Sequence, residues 1–480
     1  MWSKLKKLEI PEVLLKGILL LYTNTWVRVR LGIGTSISRK VYTTIGVKQG
    51  CVLAPFLFNI YLAELSVDLN KEWGHSPKIM DSTLSNLMYA DDIALLSHTK
   101  VGLQRLIDCL AKYSDSHALI INRSKTKIMT VTKSRKTKLL WHLKGKQLDN
   151  VTEYKYLGVT FDARASFKQH NELLRKKANT LTFAFCKLRT KVMGPSLEPF
   201  LKVMEAKLAP SLTYGAEALR GKNARFLDTL LAKIYRRVLC LPRSASPAQI
   251  RLEFGNSTQQ ITNLGMFAKT CHSLREAPVG TLGNLIWEAI NYSKESKCNK
   301  YLVRATVDLG LEQLWATPVS HDIFKKLVNK MVKKVSSLQD KQIIAKRAHS
   351  WSVIGTYALL RRQRYLGESF SLSVKLQLLT YRLGCYPHLR NQKPWEKRSG
   401  HEECRLCMEW KEDLQHILCT CPALDLERKR YLKQRLNNNG IRTCRQAMIA
   451  CLSGDDIPLS GSFIKFMKLA GAKLNKAILP

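Results

Sequence analysis

Two groups of residues in this chain have the types and spacing to do chemistry. The first is Asp91 and Asp92 in MYADDIALLS, residues 88–97, where two carboxylates stand between short apolar runs. Leu84, Leu87 and Met88 lead in, and Ile93, Leu95 and Leu96 lead out. One reading is an acidic hairpin turn, because Asp tolerates turn geometry and a solvated tip tolerates charge. The other is a divalent-metal site, since clustered carboxylates hold Mg²⁺ for phosphoryl transfer. The second group is CRLCMEWKEDLQHILCTC, residues 404–421, with Cys404, Cys407 and His416 in C-x2-C-x8-H spacing. Two close thiolates, a turn, then His and Cys on a short helix suit tetrahedral Zn²⁺, and either Cys419 or Cys421 could supply the fourth ligand. The plainer alternative is a set of reduced core thiols.

The elements that must carry these groups change character along the chain. Residues 1 to about 165 mix helices and strands. PEVLLKGILLLYTN opens with Pro at a helix start and reads as a buried helix; WVRVRLG and SRKVYTTIG alternate like strands. PFLFNIYLAELSVDL reads as a second helix, with Pro55 in its first turn and Leu57, Ile60, Tyr61, Ala63 and Leu65 as a candidate buried face. The aspartate hairpin follows, then the amphipathic VGLQRLIDCLAKYSDSH, then ALIINRSKTKIMTV as strand, turn and strand. Strands and helices packed in layers make an α+β or α/β architecture. From about 166 to 400 strand signals fade, and runs such as NELLRKKANTLTFAFCKLRTKV and HDIFKKLVNKMVKKVSSLQDKQIIAKRAHS carry helical spacing with basic faces.

Bulk properties narrow the partners. The chain has 480 residues and 78 Lys and Arg against 37 Asp and Glu, a formal net charge of +41. That much positive charge opposes a compact fold by self-repulsion, so a polyanion such as nucleic acid is the expected partner. Of the 13 cysteines, several are scattered singly in apolar surroundings and four crowd into residues 404–421. That pattern points to reduced thiols and one metal site, hence nucleus and cytoplasm rather than secretion. The apolar run VLLKGILLLY is short and interrupted by Lys16, so neither a membrane span nor a cleaved signal is expected.

Further motifs are weak alone and specific in order. GVKQGCVLAPFLFNIYL, residues 46–62, brackets Gln49 with Gly46 and Gly50 before a helix. Glycine permits positive φ and close backbone approach, and the Gln amide both donates and accepts. INRSKTKIM places Asn122 and Lys125 after a strand, and YKYLGVTFD bends at Gly158.

The set GVKQGCVLAPFLFNIYL, MYADD, NRSKT and YLG, in that order, resembles the palm of reverse transcriptases, most closely the LINE-type, non-LTR retrotransposon enzymes. The resemblance is strongest over residues 1–165 and returns near 404–422. It implies an α+β fold: a partial palm (1–165, an antiparallel sheet with helices), a helical thumb (166–300), a helical connection (301–400), a CCHC zinc knuckle (401–425) and a helical tail (426–480). The implied activity is RNA-directed DNA polymerisation using Mg²⁺ and dNTPs on an RNA template with a DNA primer or target. Asp91 would ligate Mg²⁺ with Asp92 beside it, Gln49, Gly50 and Asn122 would face template and nucleotide, and Lys125 would approach the phosphates. Tyr156, Leu157 and Gly158 would form the primer grip. The knuckle's CP ending selects Cys421 with Cys404, Cys407 and His416 for Zn²⁺.

One departure matters. Two-metal catalysis needs a third carboxylate, which the family supplies from an earlier strand, yet no Asp precedes Asp68. Glu9 and Glu12 lie on the wrong element, and Asp68 and Asp81 are possible substitutes. The expectation is therefore a reverse transcriptase truncated through its own active site and inactive alone. The alternative is a non-catalytic, basic nucleic-acid-binding remnant working through the helices and the knuckle.

Overall fold

The computed structural model describes all residues except 31–36, 44–45, 73–74, 133–138, 193–196, 217–223, 346–365, 367–370, 384, 387–402, 454 and 478–480. Much of the expected 301–400 connection lies outside the described residues. The chain divides into two compact units, Met1–Tyr154 and Lys155–Pro480.

The first unit mixes helices with small sheets. Helices α1 (Trp2–Lys7) and α2 (Glu12–Tyr22) precede a short ladder of β1 (Trp26–Val27) on β2 (Val41–Tyr42). Helix α3 (Ala54–Lys71) has Pro55 in its first turn, where the missing N–H costs no hydrogen bond. After β3 (Lys78–Ile79) and β4 (Ser82–Thr83), strands β5 (Asn86–Tyr89) and β6 (Asp92–Leu95) form an antiparallel hairpin. Helix α4 (Lys100–Ser116) is capped by Thr99, whose hydroxyl accepts the Gly102 N–H at 3.1 Å. Strand β7 (Lys127–Ile128) pairs in parallel with β10 (Asp149–Asn150), and β8 (His142–Leu143) forms a hairpin with β9 (Lys146–Gln147). One core joins Leu62, Leu65 and Leu69 of α3 to Leu106 and Tyr113 of α4, with Met88, Ile93 and Leu95 of the hairpin packed against it.

Three expectations change here. Helix α2 forms, yet none of its residues is buried: Val13 is 81% and Leu20 76% exposed. Periodicity specifies the helix, but burial needs a neighbouring element, and none among the described residues covers this one. On α3 the buried face runs through Leu57, Leu62, Leu65 and Leu69, while Ala63 is exposed, a rotation that follows where α4 lies. Finally, the strands form six separate two-stranded sheets among the described residues rather than one antiparallel sheet, and the run before Asn122 pairs with no strand.

The second unit is almost wholly helical beyond the hairpin of β11 (Glu153–Tyr156) and β12 (Val159–Asp162). Helices α5 (Lys168–Val192), α6 (Leu197–Thr213), α7 (Ala224–Val238) and α8 (Pro247–Phe254) follow. They share a large core with the helix Leu372–Arg382, the cysteine-rich segment, and the helices Cys444–Ser453 and Ile457–Lys476. Helices α9 (Gln259–Arg275), α10 (Leu282–Tyr292), α11 (Lys297–Leu309), α12 (Glu312–Ala316) and α13 (His321–Ala345) build adjoining cores around Ile261, Leu264, Phe324 and Val328 and around Phe267, Cys271 and Ile290. Two buried ion pairs pin these helices. Arg251 of α8 reaches Asp340 of α13 at 2.5 Å and Asp228 of α7 at 3.6 Å. Arg382 donates to Glu253 of α8 at 2.8 Å, to Ser453 O at 3.1 Å and to Leu452 O. No helix among the described residues is long and apolar enough to cross a membrane.

Candidate polymerase hairpin and metal centre

The paired aspartates sit where the register of the hairpin puts them. Tyr89 pairs with Asp92, so Ala90 and Asp91 make a two-residue turn, with Ala90 at φ +53°. Both carboxylates are exposed at this tip, while Met88, Ile93 and Leu95 root the strands in the core. A site for two Mg²⁺ ions needs more than two adjacent side chains on one strand. Among the described residues no third acidic, His or Cys side chain joins Asp91 and Asp92 in a metal-holding group. Asp68 is on α3, paired with Lys71 at 2.8 Å, and Asp81 is exposed in the β3–β4 turn. As described, the residues therefore do not fit a complete two-metal centre.

The other expected palm residues lie in turns. Gln49 and Gly50 are exposed in the turn before α3, where Gly50 takes φ +81°. Asn122 Oδ1 accepts the Lys125 N–H at 3.2 Å and the Ser124 hydroxyl at 2.7 Å, an Asx-type closure that fixes the NRSK turn. Leu157 at φ +44° and Gly158 at φ +82° make the bend after Tyr156. A Cβ on Gly158 would stand 2.8 Å from the Tyr214 ring.

The cysteine-rich segment converges far more tightly. The ligand atoms of Cys404, Cys407, His416 and Cys421 all lie within 4.8 Å of one another. Cys404 Sγ is 3.9 Å from Cys421 Sγ, and Cys407 Sγ is 3.2 Å from His416 Nε2. Tetrahedral zinc with bonds of about 2.3 Å to sulfur and about 2.0 Å to nitrogen separates its ligand atoms by roughly 3.5–3.8 Å. The donor set and spacing thus fit Zn²⁺ with shifts of under about 1 Å. Cys419 is turned away, its Sγ 3.9 Å from Cys444 O, so the structure groups Cys421 rather than Cys419 with the other three.

Neighbouring groups orient these ligands, and sequence reasoning missed them. Arg405 donates to Glu412 through Nε at 2.9 Å and Nη2 at 2.7 Å, closing the loop between the cysteine pair and the histidine. Asp413 Oδ1 accepts the His416 N–H at 2.8 Å. Thr420 Oγ1 lies 3.1 Å from His416 Nδ1, which leaves Nε2 facing Cys407. Arg428 donates to Cys421 O at 2.8 Å and to Leu418 O at 2.9 Å. An R–x6–E pair around the second cysteine was the only signal in the sequence. Burial holds the Cys404 thiol above its ordinary pKa and, with the charges of Cys404 and Cys407, pushes Cys421 up to about 12. Burial lowers the pKa of His416, favouring the neutral ring that a cation needs.

Comparison with known proteins bears on the first unit. The model of the family described as "Reverse transcriptase (RNA-dependent DNA polymerase)" matches residues 1–161. Those residues are similar to reverse transcriptase sequence. The relatives that the chain is similar to are polymerases of mobile and retrotransposable elements. The "RNA-directed DNA polymerase from mobile element jockey" of Drosophila melanogaster is 25% identical over 41% of this chain and 22% of its own length. The "Retrovirus-related Pol polyprotein from type-1 retrotransposable element R2" of Popillia japonica is 27% identical over 44% of this chain and 35% of its own. The "Probable RNA-directed DNA polymerase from transposon BS" of Drosophila melanogaster is 32% identical over 26% of this chain and 14% of its own. The chain thus spans about a third or less of the length of these reverse transcriptase relatives, and the Asp91–Asp92 hairpin falls inside the matched segment.

Proposed function

We propose that this chain is the RNA-directed DNA polymerase portion of a non-LTR retrotransposon protein and that its described residues alone form an incomplete catalytic centre. The observation that carries the reading is the exposed Asp91–Asp92 turn within the reverse transcriptase match. Reverse transcriptases use divalent metal ions, and here Asp91 and Asp92 would contribute to holding Mg²⁺ once another carboxylate joins them. Gln49, Gly50 and Asn122 would face an RNA template and the incoming dNTP. Lys125 would offer positive charge to the departing phosphates, and Tyr156, Leu157 and Gly158 would steady the 3′ end of a DNA primer or target. Cys404, Cys407, His416 and Cys421 would hold one Zn²⁺, whose chemistry is structural: four protein ligands leave no open position for substrate.

Primer extension tests this reading. The purified chain is offered an RNA template, a DNA primer, dNTPs and Mg²⁺, beside Asp91→Asn. The expected result is no extension by either. Fusion of a carboxylate-bearing palm strand from a relative then restores extension, and Asp91→Asn abolishes it. Extension by the unfused chain that disappears in Asp91→Asn would overturn the claim of incompleteness. A fused protein that extends equally well with and without the Asp91→Asn change would overturn the assignment of the hairpin.

A further inference from the structure

One face of helix α2 takes no part in the fold or in the polymerase reading. Leu15, Ile18 and Tyr22 are half-buried, and the Tyr22 hydroxyl reaches Cys51 Sγ at 3.9 Å, so that side of the helix faces the rest of the unit. On another side Val13, Leu14, Gly17, Leu20 and Leu21 are all exposed. At about 100° per residue these five fall within an arc of about 120°, with Gly17 at its centre. Glu12 and Lys16, the only charged residues of α2, pair with each other at 3.2 Å, so the helix carries no unpaired charge.

Gly17 is the residue that the fold does not account for. A glycine inside a helix destabilises it relative to alanine, and the 11 residues of α2 are too few to hold a helix by propensity alone. A Cβ on Gly17 would meet nothing within 4 Å, so no contact within the chain excludes a side chain there. A glycine in the middle of an apolar face does let a second helix approach closely. Counted outward from Gly17, the exposed apolar residues stand three and four positions away on either side. The face therefore reads the same in both directions along the helix.

We infer that the Val13–Leu21 face of α2 is a homodimer interface, on which α2 of a second copy crosses antiparallel at Gly17. A two-fold dimer needs a patch that complements itself. Reversal about Gly17 supplies that, setting Leu14 against Leu20 of the partner subunit and Val13 against the partner's Leu21. Trp26 and Val27, just beyond the helix, are exposed as well and offer further apolar area close by in the chain. The chain carries a formal charge of +41, so a basic contact face would repel its own copy, whereas this face is neutral. A membrane surface fits less well. Interfacial helices flank the apolar side with several basic residues, and α2 has only Lys16, already paired.

The test is sedimentation equilibrium of the full chain over a concentration series in high salt, where charge repulsion between copies is screened. The expected result is a monomer–dimer equilibrium that Asp91→Asn leaves unchanged, so this inference and the polymerase reading can fail independently. Leu20→Glu should raise the dissociation constant by at least about thirtyfold, as loss of an interface anchor does. Adding Leu14→Lys to Leu20→Glu should restore the dimer, because antiparallel pairing sets each lysine against a glutamate. A variant that had merely misfolded would not recover. Gly17→Ala should favour the helix yet weaken the dimer by about tenfold, a direction that helix stability alone would reverse. A chain that stays monomeric throughout would overturn the proposal. So would a dimer that Leu20→Glu leaves intact, tighter association in Gly17→Ala, or a double variant that fails to recover. Binding to phosphatidylcholine vesicles that Leu20→Glu abolishes, in a chain that does not dimerise, would assign the face to lipid instead.

Discussion

Replacing Cys421 by Ser, with Cys419→Ser as its control, asks whether the convergence of four donors reflects a metal site or merely buried thiols. Zinc binding to small structural sites is worth about 10–16 kcal/mol near neutral pH, or about 2.5–4 kcal/mol for each of four ligands. Loss of one ligand should thus weaken zinc by about two to three orders of magnitude, at about 1.36 kcal/mol per decade. The 3.9 Å between Cys404 and Cys421 Sγ is already close to a tetrahedral edge, so little of that energy goes into rearrangement. Cys419 sits two residues away, turned to Cys444, and its change should leave zinc affinity within about threefold, well under one decade. The assay is competition against a chromophoric chelator, supported by cobalt substitution, whose thiolate charge-transfer bands report the number of bound sulfurs. Equal losses in the two variants would refute the grouping, and unchanged affinity in Cys421→Ser would refute the metal site. Metal removal should not unfold the whole unit, because Leu414, Ile417, Leu418 and Leu424 stay in the large core. Near-ultraviolet circular dichroism before and after chelation would detect a wider collapse.

Three further outcomes follow from the helical unit and the β11–β12 bend. Arg382 is 2% and Glu253 0% exposed, so Arg382→Met strands a buried carboxylate and should cost about 3–5 kcal/mol in urea unfolding. Adding Glu253→Gln should recover part of that loss; no recovery would mean the pair is not coupled. Gly158→Ala forces an L-residue to φ +82° and should cost about 1–2 kcal/mol by the same assay. Tyr214 is exposed and its ring can move aside, so Tyr214→Ala should not rescue it. Burial raises the folded-state pKa of Asp228, against the opposing pull of Arg251. The native state therefore favours the neutral acid there, and its contribution to stability is lost as pH rises past the folded pKa. Asp228→Asn should thus stabilise the chain at neutral pH, with the gain shrinking on acidification towards about pH 4. Thermal unfolding at several pH values reads the difference, and a gain that grows on acidification would contradict the sign.

What the sequence made legible depends on how far apart the partners lie. The aspartate hairpin, the helix starting at Pro55 and the C-x2-C-x8-H spacing are local, and local backbone geometry reproduces them. Burial of α2 was not legible, because a periodic apolar run specifies a helix without naming the surface that covers it. Nor was the Arg382–Glu253 pair, whose members are 129 residues apart and carry no mutual signal in a single chain. The two candidate centres differ in the same way. All four zinc-type donors fall within 18 residues, so one short segment brings them together. A polymerase centre joins a hairpin tip to a carboxylate from another strand, and the tip is all that a local motif encodes. Its two letters could therefore announce a family while leaving the ligand set open.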